Sequence, residues 1–162
     1  MWGRRLRRKL YLDTSVLGAL TDPGPQDRVA ATRRLLRGLE AGFWEGYISP
    51  VLLEEVERAP KATREEIGRE LEKGLLTVLG ESPESMRLSE MYIAGGAVPA
   101  EYDNDARHIA VATVHHIPVI VSWNFRHLVN IETKRKVNSV NLREGYALID
   151  LVSPWEVVHE EE

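Results

Sequence analysis

Residues 10–17 read LYLDTSVL, and the position of Asp13 within them decides the fold. Leu10, Tyr11 and Leu12 form a short apolar run that ends on a carboxylate. Thr14, Ser15 and a helical-looking Val16 and Leu17 follow at once. Open α/β sheets place their ligands outside the carboxyl ends of their strands, so an acid closing a buried first strand stands where such a sheet does its chemistry.

Along the chain, short apolar runs alternate with longer segments of helical period, the pattern of a parallel α/β sheet. Strands are predicted over residues 9–13, 46–49, 75–79, 118–122 and 146–152. A helix is expected over 27–41, with Val29, Leu36, Leu39 and Phe43 on its apolar side. Pro50 opens the next helix at its first position, and that helix ends near Ala59 and Pro60. Thr63 through Glu66 reads as a capping box starting another. Ser82 and Pro83 start a helix that stops at Gly95 and Gly96, and one more spans 104–116. No repeat, low-complexity tract or linker interrupts the chain. One domain is expected over 1–162, with a basic extension over 1–8 and an acidic tail over 158–162.

The bulk numbers agree with one globular core. The chain has 162 residues, 43% hydrophobic and 28% charged, as an ordinary globule does. No apolar run approaches the ~20 residues of a membrane span, and no secretory leader is read. With Cys 0 there is no disulfide framework or Cys-based zinc site, which fits the cytoplasm. A formal net charge of −4 argues against holding nucleic acid by bulk electrostatics. Two basic clusters, Arg4, Arg5, Arg7, Arg8 and Lys9, then Arg126, Lys134, Arg135, Lys136 and Arg143, would suit the rims of a polyanion site. Solvated surface is the plainer reading of the first.

Two further acids repeat the theme of Asp13. In the helix after Pro50, Leu52, Val56 and Ala59 share a side; Glu55 borders that stripe, whereas Glu54 points to solvent. Asp105 shares a face with Ile109, Ala112 and Thr113, although an acid at a helix start also serves free backbone N–H groups. Asp103 competes with it: either Asp103 is the N-cap and Asp105 is free, or both face the site. Asn124 follows the fourth strand at its carboxyl end, where turn chemistry is the alternative. Burying unpaired carboxylates is costly, so three acids meeting at one sheet edge imply a cation. The histidines lack a zinc pattern such as HExxH; His108 is placed to hydrogen-bond Asp105, and His127 to contact phosphate or the local fold. Trp44 and Trp123 read as packing.

With Asp13-Thr14-Ser15, Ser49 through Glu55, Asp105-Ala106 leading into Ile109-Ala110 and Ala112-Thr113, and Ser122-Trp123-Asn124 in view, the chain resembles the PIN domain family, within it the VapC-like toxins of toxin–antitoxin systems. The likeness runs from Leu10 to about Val157. It implies a three-layer α/β/α fold with a central parallel sheet of about five strands, and a Mg²⁺- or Mn²⁺-dependent ribonuclease site. Asp13, Glu55 and Asp105 match the three recurrent acids, with Asn124 where many members have a fourth. Ser122 matches the hydroxyl of that last turn, and Ser15 the small polar residue after the first acid. A small antitoxin and a homodimer are implied likewise. Three features depart from the pattern: the amide at 124, His127 near a position often Asp, and a longer, more basic stretch over 125–143.

The expectation is hydrolysis of RNA phosphodiester bonds, with Asp13 and Asp105 as principal ligands and Glu55 as a ligand or the group orienting the water. A receiver domain, a haloacid-dehalogenase-type phosphatase and an aspartic protease each want acids that this chain lacks. The rival is a PIN-like module, binding RNA or protein, with weak or lost nuclease activity.

Overall fold

In the computed structural model, which describes residues 7–22 and 24–159, the five predicted strands form one parallel sheet. They are β1 (Arg8–Leu12), β2 (Trp44–Ile48), β3 (Leu76–Val78), β4 (Val119–Val121) and β5 (Asp150–Val152), in the order β3-β2-β1-β4-β5. Helices α1 (Thr14–Gly18) and α2 (Gln26–Ala41) join β1 to β2, and α3 (Pro50–Glu57) and α4 (Lys61–Glu72) join β2 to β3. Then α5 (Pro83–Ala94) and α6 (Asp103–Val114) lead back to β4, α7 (Ile131–Arg143) leads to β5, and α8 (Pro154–His159) follows. Arg4, Arg5 and the tail acids Glu160, Glu161 and Glu162 lie outside the described residues.

Side-chain alternation along β1 builds the two outer layers. Tyr11 faces one way and packs with Ile120, Leu151 and residues of α5, α6 and α7, among them Leu88, Tyr92, Ile109 and Val137. Leu10 and Leu12 face the other way, with Ile48 and Val121, and meet Leu17, Leu35, Leu52, Ile67 and Val157. A period of two in the strands thus yields a core on each face of the sheet.

Chain order creates the crevice. From β1 the chain moves outward to β2 and β3, then returns to the other flank of β1 with β4 and β5. The connections after β1 and β4 therefore diverge, and a gap opens over the carboxyl ends of those neighbours, where open sheets bind ligands.

Several expectations are corrected. The last strand begins at Asp150, not Tyr146, because side-chain amides replace the ladder before it. Asn138 Nδ2 donates to Ile149 O at 2.9 Å, the Ile149 N–H donates back to Asn138 Oδ1 at 2.8 Å, and Asn141 Nδ2 donates to Ala147 O at 3.2 Å. Helix α4 starts two residues before Thr63, since Pro60 O already accepts from Arg64 N at 3.0 Å; the Thr63 hydroxyl instead meets that of Thr21 at 2.7 Å. Phe43 is 55% exposed, because α2 ends at Ala41 and the chain turns at Gly42 before it. Trp44 is core, as read, and its indole N–H donates to Leu35 O at 2.9 Å.

That indole leaves no room for a side chain at Gly38. A Cβ there would lie 2.1 Å from Trp44 Cζ2, and the ring is pinned by its hydrogen bond. Gly38→Ala should destabilise the fold by roughly 1–3 kcal/mol, read as a lower urea midpoint with an unchanged m-value.

Candidate active site

Asp13 extends the end of β1 by one rung, its N–H donating to Val121 O at 3.2 Å, which aims its side chain into the crevice. It is 3% exposed. Ser15 Oγ donates to one carboxylate oxygen and Ser122 Oγ to the other, both at 2.6 Å. Each hydroxyl is itself oriented by a backbone donor: Trp123 N to Ser15 Oγ at 2.8 Å, and Asn124 N to Ser122 Oγ at 2.9 Å. Burial pushes the Asp13 pKa above the usual carboxylate range, aided by the charge of Glu55 and opposed by His108 and the two serines. Both auxiliary serines read from the sequence therefore hold Asp13.

Glu55 reaches the crevice from α3, whose start is fixed by Ser49 as N-cap and Pro50 after it. Thr14 Oγ1 donates to its Oε1 at 2.8 Å, and His108 Nε2 lies 2.7 Å from the same oxygen. Burial raises its pKa, but the His108 and Thr14 hydrogen bonds and the Arg107 charge outweigh that and hold it below the usual glutamate value. Glu54, as expected, is turned outward, where it pairs with Arg107 at 3.1 Å.

His108 does not bond Asp105 as the sequence suggested. It is buried, and its Nδ1 meets the Tyr11 hydroxyl at 2.6 Å while Nε2 meets Glu55. Tyr11 in turn donates to Ser49 Oγ at 2.7 Å. A carboxylate only accepts, so Nε2 carries a proton, and neither ring nitrogen is left for a metal. The chain Ser49–Tyr11–His108–Glu55 thus fastens the third acid through the core. His108→Ala should cost about 3 kcal/mol of stability, since it leaves Glu55 and the Tyr11 hydroxyl without their buried partner; urea denaturation measures it.

Asp105 projects from the first turn of α6. Its pKa is pushed up to about 7, by burial first and then by the charges of Asp13, Glu55 and Asp103, with His108 opposing. Asn124 Nδ2 lies 3.3 Å from Asp105 Oδ2, while Asn124 Oδ1 accepts from His127 N at 2.9 Å. The Asn124 oxygen thus closes a turn, as the alternative reading has it, and its NH₂ faces Asp105. Asp103 satisfies neither alternative. Tyr102 occupies the N-cap position, and Asp103 is exposed and touches Asp105 only through its charge. His127 stacks on Tyr102, with centroids 4.0 Å apart.

Asp13, Thr14, Ser15, Gly18, Glu55, Asp105, His108 and Asn124 line one cavity of about 360 Å³. Among the described residues, no three His, Asp or Glu groups stand gathered as a ready-made metal cage. The donor set nonetheless fits a hard cation, because Mg²⁺ retains several waters and needs only one or two carboxylates. Burial raises the pKa of both Asp13 and Asp105, with the charge of Glu55 adding to the first and those of Asp13, Glu55 and Asp103 to the second, a sign of crowded negative charge.

Residues 10–128 match the family model of the PIN domain. The chain belongs to the PIN domain family. PIN domains are generally nucleases that use divalent metals. Two solved structures share the fold, each with a TM-score of 0.54 and 90% of this chain covered. VapBC2 from Rickettsia felis, bound to a DNA fragment from their promoter, is 13% identical over 98% of the matched chain. FitAB bound to IR36 DNA is 17% identical over 95%. None of the curated proteins matches the chain. Within this PIN domain, Thr14 and Tyr11 are the site residues that sequence reasoning missed; the clue to Tyr11 was a hydroxyl-bearing side chain at a core position of β1.

Proposed function

We propose that this PIN domain is a divalent-metal-dependent ribonuclease acting as the toxin of a toxin–antitoxin pair. The observation that carries the reading is the convergence of Asp13, Glu55 and Asp105 on one cavity. Asp13 and Asp105 would hold Mg²⁺ or Mn²⁺, with Glu55 as a further ligand or as the acceptor that orients the attacking water. When bound, the ion makes water a better nucleophile at neutral pH and offsets charge building on the phosphate. Ser15 and Ser122 fix the rotamer of Asp13, His108 and Thr14 fix Glu55, and Asn124 steadies Asp105. Such side chains enter the reaction already oriented.

A small antitoxin partner, a homodimer and a cytoplasmic site of action belong to the same proposal. Its support is the fold shared with VapBC2 and FitAB, both described with DNA. No helix of the described residues is long and apolar enough to cross a membrane. Asn124, an amide where a fourth acid is common, favours the second reading, a binding module of reduced activity.

The test is incubation of labelled single-stranded RNA with the protein in Mg²⁺ or Mn²⁺ and in EDTA. Cleavage that needs metal is expected. Intact RNA under every metal condition would leave the binding module as the better account.

A further inference from the structure

Next to the acidic cavity lies a second one of about 580 Å³, and the two share Ser15, Gly18 and Asn124. Its walls carry Arg28, Trp123, Thr21 and Thr63. Arg28 sits in an aromatic box drawn from two segments, the turn after β4 and helix α8. Its Cζ lies 5.3 Å from the Trp123 ring centroid, 5.5 Å from Phe125 and 5.9 Å from Trp155. Trp123 is locked in turn, its indole N–H donating to Thr32 Oγ1 at 2.9 Å, and Trp155 meets it edge-on at 4.7 Å.

Ring faces attract a guanidinium without using its N–H donors. No carboxylate pairs with Arg28 among the described residues, and its Nε is the buried side-chain nitrogen left there without a hydrogen-bond partner. Asp22, on the same wall, is engaged through its Oδ1 by the Gly24 N–H at 2.8 Å. A preoriented cation with no carboxylate partner among the described residues thus lines a cavity that adjoins a cluster of acids. A polyanion needs such a cation, because the acidic cavity repels every phosphate except one neutralised by a metal.

We propose that this second cavity is a phosphate subsite, in which Arg28 grips a backbone phosphate of single-stranded RNA flanking the bond to be cut. The inference rests on the ribonuclease reading and names a part of its substrate site.

The test is fluorescence anisotropy of a fluorescein-labelled single-stranded RNA 12-mer, in Ca²⁺ to slow cleavage, over a series of salt concentrations. Arg28→Met keeps the stem in the aromatic box and removes the charge. It should weaken binding roughly tenfold and lower the salt slope by about 0.7, the loss of one phosphate contact. Thr63→Glu leaves the aromatic box intact and places a negative charge on the same wall, so it should also weaken binding several-fold, which keeps the test decisive if Arg28→Met fails to fold. Unchanged affinity and slope in the folded variants overturn the proposal. An oligoglutamate peptide that binds the wild type more tightly than RNA, and is lost with Arg28→Met, overturns it too, because the cavity would then serve an acidic protein partner. A wild type that binds RNA through Arg28 but never cuts it refutes the ribonuclease reading alone. One that cuts RNA but binds it independently of Arg28 refutes this inference alone.

Discussion

Asp13→Asn is expected to abolish metal-dependent RNA cleavage and, in EDTA, to melt at a higher temperature than the native chain. Both effects come from the same burial. The Asp13 carboxylate is held by two serine hydroxyls that a neutral amide can also satisfy by rotation, so the fold loses little. What disappears is a desolvated negative charge beside Glu55 and Asp105, a charge that burial already disfavours. Relief of about 1 kcal/mol would raise Tm by roughly 2–4 °C in a chain of this size. Activity should fall on the order of 10²–10³-fold or more, the scale on which loss of one group stabilising a transition state is felt. Circular-dichroism melts and single-turnover cleavage measure the two sides. A variant that is both less stable and fully active would show that Asp13 is structural.

The second large effect is a pH dependence that metal reverses. Asp105 titrates at about 7 where an ordinary aspartate has 3.8. Between those values the folded chain keeps a proton that the unfolded chain has released. Its contribution to stability is therefore fully present below about pH 4 and is lost as pH rises through about 7. Metal-free protein should melt at progressively lower temperature from about pH 5 to pH 7.5. A divalent ion competes with that proton, so stabilisation by Mn²⁺ should grow over the same interval, and cleavage should rise with it. Glu55 has the opposite sign. Its pKa is held below the usual value, so its stabilisation is established at more acid pH and adds no slope here. Asp13, whose pKa burial also raises, adds a slope of the same sign, so Asp105→Asn should lessen the metal-free slope; a slope unchanged in that variant would place the titration elsewhere.

The parts of this site that were legible in the sequence sit where secondary structure ends. Asp13 closes β1, Asp105 opens α6 and Ser122 and Asn124 follow β4, and the local pattern alone places such residues at a sheet edge. Glu55 could be told from Glu54 by helical phase. Residues whose role depends on several distant elements were not legible. His108 lies three residues from Asp105, yet its partners come from β1 and α3, and the aromatic box around Arg28 joins α2, α8 and the turn after β4. Helix α7 escaped because its sequence is mostly polar and charged; its N-cap, Asn130 accepting from Thr133 N at 2.8 Å, is the signal that could have found it. The apolar run over 146–152 predicts a longer last strand than forms, because it gives no warning that Asn138 and Asn141 satisfy its backbone.

Calorimetric titration of Mn²⁺ into metal-free protein near neutral pH measures directly whether these acids take up a divalent ion together. Saturable binding by the native chain, weakened at least roughly tenfold in both Asp13→Asn and Asp105→Asn, is the predicted result. Equal binding by all three proteins, or none by the native chain, would contradict it.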